Sequence, residues 1–128
     1  MALNCTIRQR DGVTILDLTG LLSLGEPFTF GPESGLVLAS EIQSLIEKGQ
    51  KKILLNLAGV RFVDSSGIGQ LTGAYTTARN RGAYLKLLKP TTQVRNLLKM
   101  TKLDSIFDIL DNEDEAVKSF PRDAAATA

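Results

Sequence analysis

Histidine is absent from all 128 residues, and Cys5 is the single cysteine. Without histidine the chain has neither Ser-His-Asp nor Cys-His nucleophilic machinery, and one cysteine cannot supply an ordinary zinc site. Cys5 has no partner within the chain for a disulfide, which points to a reducing, cytoplasmic home. Neither sign of charge dominates. Fifteen Lys and Arg against 14 Asp and Glu give a formal net charge of +1. That leaves no electrostatic footprint for nucleic acid or an anionic membrane. No apolar run approaches the roughly 18 residues of a membrane span, and the N-terminus carries no signal-peptide pattern. These absences end most enzyme readings, and no cofactor or metal site is expected.

What is present is an ordinary globular balance, 43% hydrophobic and 23% charged residues, in a chain long enough to bury a real core. The expected organisation is a single domain over residues 1–120 with a disordered tail, PRDAAATA, over residues 121–128. Residues 5–8 and VTILDLT, residues 13–19, read as two strands joined by a turn at Arg10, Asp11 and Gly12. SLGEPFTFGPESG, residues 23–35, holds two prolines and three glycines and reads as a loop longer than typical connections, either functional or pinned by Phe28 and Phe30 packing inward. Leu38, Ile42, Leu45 and Ile46 recur at helical spacing ahead of Gly49.

ILLNL, residues 53–57, suits a buried strand, and a helix following Ser65 should end near Gly82. AYLKLL, residues 83–88, is the next strand. Thr91 or Thr92 can cap a helix that carries Val94, Leu97 and Leu98 on one face. Residues 106–110 form a fifth candidate strand. Asn112 and Glu115 have capping-box spacing ahead of Ala116, Val117 and Phe120. Strands alternating with helices argue for an α/β fold: a mixed sheet of about five strands and four helices.

The stretch FVDSSGIGQLTGAY, residues 62–75, is the least ordinary. No charged residue lies between Asp64 and Arg79, and glycines at 67, 69 and 73 sit where a helix is expected. Ile68, Leu71, Tyr75 and Ala78 keep a helical rhythm and should pack on the sheet. The other side (Gly69, Gln70, Thr72, Gly73, Thr76 and Thr77) is small and uncharged. Each interior glycine costs the helix up to about 1 kcal/mol relative to alanine. Two compensations remain open: close approach of a neighbouring element, or a smooth surface on which another protein docks, since charge depletion marks an interface core.

Asp64, Ser65 and Ser66 offer three capping side chains where one would serve. A spare hydroxyl at a helix N-terminus suits reversible phosphorylation, because free N–H groups and the helix dipole tolerate phosphate. The added charge of about −1.5 to −2 would repel a docked partner. Other readings fit less well. Gly67 and Gly69 begin a dinucleotide fingerprint, but residue 72 is threonine and the next glycine falls at 73, and no GK[ST] follows. Asp108, Asp111 and Asp114 lack the glycine of a calcium loop.

ILLNLAGVRFVDSSGIGQLTGAY, residues 53–75, closely resembles the STAS domain of bacterial anti-sigma factor antagonists. The resemblance extends more weakly over about residues 4 to 120, through VTILDLTG, LKLLKP and VRNLLKMTKLDSIFDI. It implies a small non-enzymatic α/β domain with helices mainly on one face of a mixed sheet. It implies a cytoplasmic regulator that binds an anti-sigma factor with serine kinase activity when unphosphorylated and is released on phosphorylation. A separate serine phosphatase would restore it. The first serine after the motif aspartate, Ser65, would be the phosphorylated residue. The implied docking surface comprises Asp64, Ser65, Ser66, Gly67, Ile68, Gly69, Gln70, Thr72 and Gly73. STAS domains also occur in stressosome scaffolds and lipid-transport accessory proteins, so the alternative is a non-phosphorylated scaffold or adaptor subunit of a larger complex that uses the same face. One departure is the connection after Gly20, which is longer here than is common in the family and lacks the aspartate often found there.

Overall fold

The computed structural model describes residues 3–22 and 38–121. Within them the chain runs β1 (Leu3–Arg10), β2 (Val13–Leu22), α1 (Leu38–Glu47), β3 (Lys52–Val63), α2 (Ser65–Asn80), β4 (Tyr84–Leu88), α3 (Thr92–Met100), a single 3₁₀ turn (Leu103–Ser105), β5 (Ile109–Leu110) and α4 (Glu113–Ser119). The five strands lie side by side in sequence order, β1 antiparallel to β2 and every later pair parallel. This is the mixed sheet with four helices that the sequence leads one to expect. The loop over residues 23–35 and all but Pro121 of the tail lie outside the described residues.

Both central residues of the β1–β2 turn, Asp11 and Gly12, have positive φ (53° and 83°). Such a turn follows the right-handed twist of the flanking strands. The strands carry a period-two division of labour. Leu16 and Leu18 on β2, Ile53, Leu55 and Leu57 on β3, and Leu85 and Leu87 on β4 enter one core under α1, α2 and α3. Val13, Ile15, Leu54 and Leu88 enter a second, smaller core on the opposite face, closed by Ala116, Val117 and Phe120 of α4 and its end. Three helices therefore share one face and the short fourth covers the other.

β3 is longer than residues 53–57 suggest, and the extension positions the site. Its first half pairs with β4 as far as Asn56. Beyond that only β2 accompanies it, through register shifts after Asp17 and Gly20. At the first shift, Gly59 lies so close to β2 that a Cβ there would meet Thr19 Cγ2 at 2.6 Å and the Leu18 carbonyl oxygen at 3.0 Å. Only glycine fits that approach. This extension of β2 and β3, a ribbon flanked by β1 as far as Gly20, runs on past β4 and delivers Asp64 at its tip.

Candidate functional site

The ribbon ends at Val63, and α2 begins two residues later. Asp64, in extended backbone (φ −107°), is the N-cap. Its Oδ1 accepts the Gly67 N–H at 2.9 Å and also the Ser66 hydroxyl at 2.6 Å. The Ile68 N–H donates to the Asp64 carbonyl at 2.9 Å and closes the first turn. Asp64 and Ser66 are half-buried and Ser65 is exposed. The Ser65 hydroxyl makes no hydrogen bond among the described residues. Of the three polar side chains at this junction, the aspartate caps, the second serine braces the aspartate, and the first serine faces solvent.

The rest of α2 divides less simply than its sequence suggests. Leu71, Ala74 and Ala78 are buried in the main core, and Ile68 and Tyr75 pack partly against it. Gly69 and Thr76 are exposed; Thr72, Gly73 and Thr77 are half-buried. Gln70 departs from the outward position expected for it. It is 7% exposed and accepts the Leu38 N–H, the first of α1, at 3.2 Å. A glutamine here satisfies an orphan helix donor at the junction of two helices. It belongs to the inside of the molecule, as does buried Gly67.

The close-approach explanation for the other two glycines finds no support among the described residues. A Cβ on Gly69 would touch none of their atoms, and one on Gly73 would meet only Ala39 Cβ, at an ordinary 3.8 Å. One site residue escaped the sequence reading. Phe62, 41% exposed, stands on the ribbon two residues before the cap. The second register shift pairs Leu21 with Phe62 just after Gly20 has paired with Val60. That extra residue turns the ring outward, and the sequence holds no signal for it.

The three aspartates considered for a cation are each held by a basic side chain. Asp108 pairs with Lys86 at 3.5 Å, Asp111 with Arg95 at 2.5 Å, and Asp114 with Arg10. They lie on different flanks and do not converge.

With this geometry in hand, the STAS domain family model matches residues 4–116 of the chain. The chain belongs to the STAS domain family. As a STAS domain it is 28% identical to an anti-sigma F factor antagonist from Paenibacillus polymyxa, over 91% of this chain and 94% of that one. It is 33% identical over 73 residues to a Thermotoga neapolitana protein named as the homologue of a candidate anti-sigma factor antagonist. That alignment covers 57% of this chain and 65% of the relative, just under two thirds of its length. The STAS fold overlays on the anti-sigma factor antagonist SpoIIAA in its unphosphorylated form with a TM-score of 0.66 at 22% identity, over 91% and 94% of the two chains. Bacillus SpoIIAA in the phosphorylated form gives 0.65 at 20%, over 90% and 97%. At that identity the likeness concerns the fold alone. No helix among the described residues is long and apolar enough to cross a membrane.

Proposed function

We propose that this STAS domain is an anti-sigma factor antagonist controlled by phosphorylation of Ser65. The observation that carries the reading is the division of labour at the start of α2. Asp64 and Ser66 satisfy each other and the Gly67 N–H, which leaves Ser65 exposed and unengaged beside a face without charge. The unphosphorylated chain presents Ser65, Ile68, Gly69, Thr72 and Gly73, with Phe62 beside them, to an anti-sigma factor that is also a serine kinase. Docking frees the sigma factor in the cytoplasm. The kinase then transfers the terminal phosphoryl group of ATP to Ser65 Oγ, the hydroxyl proton leaves to a base on the kinase, and ADP departs.

The product carries about −1.5 to −2 charge next to the Asp64 carboxylate. In a desolvated contact such like charges cost several kcal/mol, so the complex dissociates until a serine phosphatase removes the group. The chain itself performs no chemistry in this cycle.

The test is a calorimetric titration of the cognate anti-sigma factor with unmodified and phosphorylated protein. Phosphorylation should weaken binding by about 100-fold, corresponding to about 2.7 kcal/mol. Ser65→Asp should weaken it in the same direction. Ser65→Ala should bind within about threefold of wild type and resist release by ATP. Equal affinity of the two forms would leave a constitutive adaptor and end the switch.

A further inference from the structure

At the opposite end of α2, the sheet is incomplete. Residues 106–110 would make a fifth strand as long as β4, yet only Ile109–Leu110 pairs, with Leu87 and Leu88. The reason lies just upstream. The 3₁₀ turn Leu103–Ser105 draws the Ile106 and Phe107 N–H groups back to the Leu103 carbonyl (2.9 and 3.1 Å). Phe107 is buried edge-on against Tyr75, their centroids 5.2 Å apart. The chain therefore reaches β4 late, and among the described residues no strand pairs with residues 84–86 on that side.

The backbone polarity of this gap follows from the ladder. Leu87 and Lys89 donate to the Asp108 and Leu110 carbonyls at 2.9 and 2.8 Å, whereas Tyr84 donates the other way, to Lys51 at 2.8 Å. By strand alternation the Leu85 N–H points toward the missing neighbour, and among the described residues it has no backbone acceptor. A hollow of about 430 Å³ occupies the place of the absent strand, floored by Ala83 and Leu85 and walled by Tyr75, Tyr84 and Ile106. Tyr84 (49%) and Ile106 (47%) are among the most exposed large apolar side chains of the described residues.

Arg79 stands on the rim of this hollow and of a second one of about 390 Å³ beside it. Among the described residues it makes no ion pair, while the neighbouring charges are already spent: Lys86 on Asp108, and Arg81 on Glu47. The rim thus offers one uncompensated positive charge.

We infer that this gap beside β4 is a second docking site, taking an extended, acidic segment of a partner protein that adds a strand beside residues 84–86. Strand addition supplies an acceptor for the Leu85 N–H, an apolar side chain of the segment fills the hollow, and a flanking carboxylate meets Arg79. The free N–H specifies a backbone rather than a compact ligand, and Arg79 selects its charge. Arg79 lies fourteen residues along α2 from Ser65, about 21 Å at helical rise, so this site is separate from the one assigned to the switch.

The experiment titrates the ¹⁵N-labelled full chain with a blocked heptapeptide, acetyl-EEVLVEE-amide. Two controls accompany it: KKVLVKK, and EEPLPEE, in which proline removes strand donors. The acidic peptide should give saturable amide shifts at Tyr84, Leu85, Arg79 and Ile106 with a Kd of about 100 µM. The basic and proline peptides should bind at least about tenfold more weakly, and Arg79→Glu should invert the charge preference. Ser65→Asp should leave the titration unchanged, which separates this site from the switch. Lack of saturable shifts at about 2 mM peptide, equal binding of acidic and basic peptides, retention by EEPLPEE, or shifts confined to β1 or the first turn of α2 would each overturn the inference.

Discussion

The Ser66 hydroxyl donates a hydrogen bond to Asp64 Oδ1 at 2.6 Å, and the same oxygen accepts the Gly67 N–H. The stability of the junction therefore resides in these two side chains and not in Ser65 between them. Asp64→Ala should cost about 1 kcal/mol, the usual worth of an N-cap, and lower Tm by about 3–5 °C. Ser65→Ala should stay within about 1 °C of wild type in the same thermal scans. A Ser65→Ala loss as large as that of Asp64→Ala would make Ser65 a structural cap.

Gly69 separates folding from function in the opposite sense. An added Cβ touches no described atom, so Gly69→Ala should stabilise the chain by about 0.5–1 kcal/mol through better helix propensity. The same methyl should push back a partner that rests on the backbone and weaken the anti-sigma factor complex by about tenfold, or 1.4 kcal/mol. Urea titration and calorimetry read the two effects independently. An unaltered complex would remove Gly69 from the docking face.

Gln70 should behave as a core residue. Gln70→Met keeps the volume but leaves the buried Leu38 N–H without its acceptor, at a cost of about 1–3 kcal/mol. Equilibrium unfolding in urea should show the midpoint fall with little change in slope. A neutral result would mean that α1 finds another acceptor.

Acid should release α4 from the hairpin. Arg8 bonds Glu113 at 2.7 and 3.0 Å and Asp17 at 2.7 Å, and Arg10 bonds Glu113 at 2.9 Å. The Arg8 hydrogen bonds, helped by Arg10 and opposed by desolvation, pull the Glu113 carboxyl down to about 2. Arg8 also lowers Asp17, assisted by Asn56. A carboxylate whose folded pKa lies below its unfolded value, about 4.3 for Glu, stabilises the fold above that unfolded value. The benefit disappears as pH falls toward 2. Urea midpoints should therefore drop between about pH 4.5 and 2. Glu113→Gln should be less stable than wild type at pH 7 and lose less over that window. Parallel pH profiles for the two proteins would exclude this linkage.

Elements with strong local signatures were legible from the residues alone. Asn112 caps α4 by accepting the Glu115 N–H at 2.9 Å, and Thr91 caps α3 by accepting from Val94 at 3.4 Å, as their spacing suggests. What depended on distant contacts was not legible. β3 continues through Ala58, Gly59 and Arg61 because β2 follows it through two register shifts, which no local pattern announces. β5 shrinks from residues 106–110 to Ile109–Leu110 because Phe107 is drawn toward Tyr75. Gln70, polar and beside glycines, looks like surface until α1 is placed against it. The expected cap was one of three side chains, and only the geometry separates the residue that caps from the one that braces and the one exposed.

The bond from Arg8 to Glu113 spans 105 residues, and it has a temporal meaning. During synthesis the first hairpin leaves the ribosome long before α4 exists. Until α4 arrives, Val13, Ile15, Leu54 and Leu88 lack the lid that completes their core. A nascent or prematurely terminated chain ending before residue 113 would expose this greasy strip, the kind of surface on which aggregation begins and chaperones act. Closure at the back of the sheet thus waits until α4 has been made.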